Sequence, residues 1–184
     1  MRAVRHTVFS AGAGRPPIIV CSARVAHPDT RADTVDTVRV LALYRVGTLL
    51  HVASRDSVAD AALRSMYAAM GVEYREMDLR DAEASEGDAV VPDALISDLS
   101  ALYAAHEEAH GHTRAFMISC MSGINRSALC AALLLWHEHA APRPWADARS
   151  LVIFMRTEQR AQRSDNVATL LNSTFVRYIT DHCV

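Results

Sequence analysis

The chain has 184 residues, is 51% hydrophobic and carries a net charge of −2. It is long enough to bury a sizeable core as one unit. No apolar run is long and charge-free enough to span a bilayer, and the slight negative balance gives no general pull toward nucleic acid or anionic lipid. It contains no lysine, which excludes Schiff-base lysines and the lysine-dependent nucleotide-binding P-loop.

Arg2, Arg5 and Arg15 precede the first acid, Asp29. Residues 1–16 read as a loosely ordered N-terminal extension to a single domain over 1–184. Ile18 to Ser22 reads as a strand. Arg31 to Tyr44 has helical spacing, with Val35, Val38, Leu41 and Ala42 as the expected apolar stripe. Gly47 to Val52 reads as a strand. Ser57 is placed to cap a helix that runs to Met70 and stops at Gly71. Val72 to Asp78 alternates as a strand does, which turns Asp78 toward solvent. Pro92 opens a helix carrying Leu95, Leu99, Leu102 and Tyr103, ending near Gly111. Strands alternating with helices predict an α/β fold: a central, mainly parallel sheet of about five strands flanked by helices on both faces.

The stretch from Ala115 to Leu135, AFMISCMSGINRSALCAALLL, carries the chemistry. Ala115 to Ser119 is a short buried strand, and Arg126 to His139 is a helix apolar on nearly every face, with Leu129, Leu133 and Trp136 in the core. The small residues between them feed the chain into a helix N-terminus, where unpaired N–H groups and the helix dipole favour an anion. Gly123 allows a tight turn, and Arg126 offers a planar fork matched to two phosphate oxygens. The same surroundings favour the thiolate of Cys120, the reactive form of the nucleophile. Ser127 is positioned to donate a hydrogen bond to that sulfur. Met121, Ser122, Gly123, Ile124 and Asn125 are the expected anion-binding loop, with phosphate or sulfate as the expected occupant.

Cys120-Met-Ser-Gly-Ile-Asn-Arg126-Ser127 resembles the C-x5-R-[ST] signature of the cysteine-dependent phosphatases, and its flanks resemble the small atypical members of the dual-specificity branch of the protein tyrosine phosphatase superfamily. Ile18 to Ser22, Gly47 to Val52, Val72 to Asp81, Trp145 to Arg156 and Asn166 to Ile179 resemble that family at the level of pattern. The resemblance implies catalysis by Cys120, Arg126 and Ser127, with Asp81 as the general acid that protonates the leaving oxygen and then activates water. Asp78 and Asp88 compete with Asp81 for that role. It also implies a phosphorylated protein substrate, bearing phosphotyrosine and/or phosphoserine/threonine, and neither a metal nor an organic cofactor. One position departs from the family. Ser119 stands where a histidine usually precedes the cysteine, so the Cys120 thiolate is expected to be less favoured and the pH optimum shifted upward.

Three other activities fit part of the pattern. An inactive or weakly active phosphate-binding module would keep the same loop. A rhodanese-type sulfur transferase also uses a cysteine in a cradle loop, but the five-residue gap and Ser127 favour a phosphatase. Asn125 before Arg126 also occurs in RNA 5′-phosphatase relatives, against which the low net charge argues. The four cysteines are scattered without a C-x2-C pair, which points away from zinc or a disulfide scaffold and toward a reducing, cytoplasmic compartment. His106 and His110 stand at a metal-binding spacing on a helix but read as surface histidines. Arg156, Arg160 and Arg163 read as a solvated face, or as a secondary anion pocket.

Overall fold

A computed structural model describes residues 6–22, 31–53, 61–79, 91–139, 142–163, 167 and 169–184, with side chains of the first helix from residue 34 onward. Five strands form one sheet: β1 (His6–Phe9), β2 (Ile18–Ser22), β3 (Val46–Ala53), β4 (Glu73–Asp78) and β5 (Ala115–Cys120), in the spatial order β1-β2-β5-β3-β4. All neighbours are parallel except β1 with β2. The expected architecture is therefore present. One difference is β1, which falls inside the stretch read as loosely ordered. His6–Phe9 pairs antiparallel with β2, and Thr7 and Phe9 are buried. Its alternating burial is too short a signal to stand out among four residues.

The strands at the centre are β2, β5 and β3. Every residue of β2 and β5 is buried, the mark of parallel strands covered on both faces. One face packs on α3 (Leu95–His110), α4 (Arg126–Glu138), α5 (Ala148–Gln162) and α6 (Ser173–His182), around a core that includes Ile18, Leu50, Phe116, Ile118, Leu129, Leu133 and Phe175. The other packs on α1 (Arg31–Leu43) and α2 (Ala61–Ala69), around Ile19, Leu41, Leu49, Tyr67 and Met117.

Of the apolar stripe expected on α1, Leu41 alone is buried, and Ala42 is exposed. Thr37 and Leu41 are buried, with Val40 and Tyr44 packed partly against them, whereas Val35 and Val38 lie exposed. Valine spacing alone did not identify the inward face. Helix α2 ends ahead of Gly71 as expected; Ser57 lies outside the described residues. Helix α3 ends ahead of Gly111 as expected but begins at Leu95, three residues after Pro92, and Leu95, Leu99 and Tyr103 are buried.

His106 corrects the surface reading, being fully buried beneath α3. Its Nε2 lies 3.1 Å from the carbonyl oxygen of Arg114, so that nitrogen carries the proton, and Nδ1 lies 2.9 Å from the hydroxyl of Thr48. With both ring nitrogens engaged, His106 is a packed core imidazole and not a metal ligand. Gly47 makes that packing possible: a Cβ there would sit 2.6 Å from the His110 ring and 2.8 Å from the His106 ring.

The entry to β2 is fixed by Arg15. Its guanidinium reaches Glu107 on α3 at 2.5 Å and Glu138 at the end of α4 at 2.8 Å, and its Nε bonds the Glu138 carbonyl. These contacts tie the start of a central strand to the two helices that lie over it.

Candidate active site

Strand β5 delivers Cys120 to the carboxyl edge of the sheet, the usual location of sites in open parallel sheets. Residues 121–125 then turn into α4. Met121 and Ser122 are exposed, and Gly123 is buried. Gly123 has a φ of +66°. A Cβ there would lie 2.7 Å from the carbonyl carbon of Cys21, 2.8 Å from its oxygen and 3.0 Å from the nitrogen of Ser22, all backbone atoms at the end of β2. The glycine is required twice over, by conformation and by close approach.

At the floor of this loop the Sγ of Cys120 lies 3.1 Å from the Oγ of Ser127, and both residues are buried. A hydroxyl at that distance donates to the sulfur whenever the sulfur is a thiolate. The Nε of Arg126, one residue earlier, is buried and has no hydrogen-bond partner among the described residues. A buried donor on a cation at a helix N-terminus suits an anion. Asn125, at the N-cap of α4, makes no side-chain bond to the first turn. Its Oδ1 instead accepts from the backbone nitrogens of Leu171, at 2.8 Å, and Asn172, at 3.2 Å.

The other cysteines differ from Cys120 in their surroundings. Burial, and next the neighbouring Cys120, push the Cys21 and Cys130 thiols far up. Burial pushes Cys183 up to about 12, against an opposing pull from Arg143. All three stay protonated at neutral pH and are poor nucleophiles.

The loop is held from behind by residues the sequence did not single out for this purpose. The carbonyl of Gly123 accepts from Gln159 Nε2 at 3.1 Å and from Arg163 Nη1 at 3.2 Å. The carbonyl of Ile124 accepts from the Leu170 nitrogen at 3.0 Å and the Thr169 hydroxyl at 2.6 Å. Arg156 in turn bonds the carbonyls of Thr169 and Leu170. Leu170 has a φ of +54°, a strained setting for a leucine that these bonds stabilise. Arg163 is only 5% exposed, so Arg156 and Arg163 are neither a solvated face nor a second anion pocket. They are braces for main-chain carbonyls. Arg160 alone of the three is exposed.

Ser119, the residue that departs from the family pattern, is fully buried. Its Oγ lies 2.9 Å from Nδ1 of His51 on the adjacent strand β3. His51 sits inside an apolar strand, where no sequence motif marks it. Asp78 is exposed at the end of β4. It shares with Glu76, Met77, Pro92, Leu95 and Asp98 a cavity of about 560 Å³. Asp81 and Asp88 lie outside the described residues.

No protein-family model matches the chain, and no curated protein matches its sequence. Solved structures do match its fold. A chain named as a protein tyrosine phosphatase from Leishmania major superposes with a TM-score of 0.65 at 13% identity, covering 96% of this chain and 98% of that one. The phosphatase domain of Yvh1 from Chaetomium thermophilum gives 0.59 at 19% identity, covering 97% and 94%. OH1 from the Orf virus, described as a tyrosine phosphatase with triple substrate specificity, gives 0.53 at 19% identity, covering 97% and 87%. The chain therefore has the fold of the tyrosine and dual-specificity phosphatases over nearly its whole length.

Proposed function

We propose that this chain is a cysteine-dependent phosphatase of the dual-specificity type, one catalytic domain over 1–184, acting on phosphotyrosine and/or phosphoserine/threonine proteins in a reducing, cytoplasmic compartment. The observation that carries the reading is the buried 3.1 Å contact of Cys120 Sγ with Ser127 Oγ, beside the buried Nε of Arg126, which has no hydrogen-bond partner among the described residues.

In the first step the Cys120 thiolate attacks phosphorus in line. The S–P bond forms as the P–O ester bond breaks, and the leaving oxygen takes a proton from Asp81. Arg126 and the amides of residues 121–126 hold the equatorial oxygens as charge develops on them. In the second step Asp81 removes a proton from water. The water oxygen attacks phosphorus, the S–P bond breaks, and Ser127 donates to the departing sulfur. Inorganic phosphate leaves and the thiolate returns. The loop offers no basic side chain besides Arg126, which favours a phosphoprotein over a multiply phosphorylated inositide.

The test is phosphate release from phosphotyrosine and phosphothreonine peptides, an inositide panel and a 5′-triphosphorylated RNA. Peptide turnover lost in Cys120→Ser supports the proposal. Loss in Asp81→Asn with retention in Asp78→Asn assigns the acid, and the reverse pattern reassigns it. Phosphate binding without a trapped phosphocysteine makes the chain a binding module, and preferred turnover of the RNA substrate makes it an RNA phosphatase.

A further inference from the structure

Residues 119 and 120 point to opposite faces of β5, as successive strand residues must. Cys120 belongs to the core on the α3–α6 side, whereas Met117 and Ala115, two and four residues before Ser119 and on its face of the strand, belong to the core on the α1–α2 side. Ser119 therefore has its back to the reacting sulfur. The strand registers set Ser119 directly opposite Cys21 on β2 and His51 on β3. The Cys21 thiol donates to the carbonyl of Ile118 at 3.7 Å, so the serine hydroxyl meets the imidazole of His51 instead, at 2.9 Å. His51 is 2% exposed and Ser119 fully buried. Two polar side chains buried side by side depend on each other, because removal of either takes one buried hydrogen bond from the other.

Building on the phosphatase reading, we propose that His51 is a positioning residue for Cys120, acting through Ser119. Ser119 is the last residue before the nucleophile, and its side chain is fixed by a ring on the next strand. The His51–Ser119 bond thereby sets the backbone from which Cys120 projects and the loop departs. The imidazole never meets substrate. Its effect reaches the sulfur along one peptide unit, and it adjusts the approach of Sγ to phosphorus without adding to phosphate binding.

The bond uses Nδ1, and this makes the inference specific. An asparagine amide reaches the position of a histidine Nδ1, whereas a glutamine amide reaches that of Nε2. The experiment compares His51→Asn, His51→Gln, His51→Leu, Ser119→Ala and the double variant His51→Leu/Ser119→Ala. Two readouts are used: kcat and KM on a phosphotyrosine peptide, and the rate at which iodoacetamide alkylates Cys120. The second is followed on the 115–126 tryptic peptide, which contains no other cysteine. Loss of one hydrogen bond at a reacting group should lower both kcat and the alkylation rate about tenfold in His51→Leu, His51→Gln and Ser119→Ala, with KM unchanged. The double variant should fall no further than either single one, and His51→Asn should stay within about threefold of the parent protein.

Equal loss in His51→Asn and His51→Leu, or losses that multiply in the double variant, would overturn the proposal. If His51→Leu fails to fold, Ser119→Ala decides, and an unchanged alkylation rate in that variant sinks the idea. Alkylation needs no turnover. A parent protein that releases no phosphate would thus refute the phosphatase reading while the alkylation series still judged the positioning role.

Discussion

Ser127 Oγ and Cys120 Sγ, seven residues apart in the chain, lie 3.1 Å from each other in a buried pocket at the start of α4. The first turn of the helix brings the hydroxyl back under the end of β5. When the sulfur is a thiolate, the hydroxyl is the donor of this bond.

The Ser127→Ala variant should separate the two chemical steps. A hydrogen bond to a charged group contributes about 1.5–3 kcal/mol, so breakdown of the phosphocysteine should slow by about ten- to a hundredfold. Rapid-mixing measurements should then record a burst of leaving group, followed by slow turnover and an accumulated phosphocysteine. Equal slowing of burst and turnover would show that the hydroxyl does not act on the leaving sulfur.

Gly123→Ala should be one of the costliest single substitutions in the loop. The left-handed backbone costs an alanine about 1–2 kcal/mol, and overlap with the backbone of Cys21 and Ser22 adds to it, for a total of about 2–5 kcal/mol. Denaturant unfolding should record the loss, and calorimetry should find phosphate binding abolished. Stability and binding both unchanged would mean that the loop does not approach β2 as described.

Arg163→Met and Gln159→Met should loosen the loop without touching substrate. Each removes one donor from the Gly123 carbonyl. A single loss should cost about 1–3 kcal/mol of stability and raise KM. Because the two donors share one acceptor, the double variant should depart from additivity in a double-mutant cycle. Strict additivity would show that the two side chains brace different groups.

Acid should weaken the fold through His106. Burial, as the largest cause, holds its pKa below the ordinary value of 6.5, and His110 and Arg114 add to the lowering against the bond to the Arg114 carbonyl. Above 6.5 the ring is neutral folded and unfolded alike, so it contributes no pH dependence. As pH falls below 6.5, the unfolded chain binds a proton that folded His106 refuses until its lower pKa is reached, so stability drops across that window. His137 is lowered for the same first reason and adds to the slope. The thermal midpoint should fall from about pH 7 to about pH 5.5, and His106→Gln should flatten the decline. An unchanged slope in that variant would remove His106 as its source.

Much of the candidate site's geometry was legible because its parts are local. Cys120, Gly123, Arg126 and Ser127 lie within eight consecutive residues, and a strand, a turn and a helix start fix their relations with little help from the rest of the chain. The same holds for the α/β alternation and for the run of buried residues in α4. What could not be read depends on partners far apart in sequence. His51 meets Ser119 across 68 positions, and Arg163 meets Gly123 across 40. A histidine in an apolar strand and an arginine near a helix end carry no local mark of such pairings. Those partners are chosen by strand order and helix packing, the same forces that turned Thr37 inward beside Leu41 on α1 and left Val35 and Val38 exposed. Local spacing thus specifies which groups can do chemistry, and long-range packing specifies which groups hold them still.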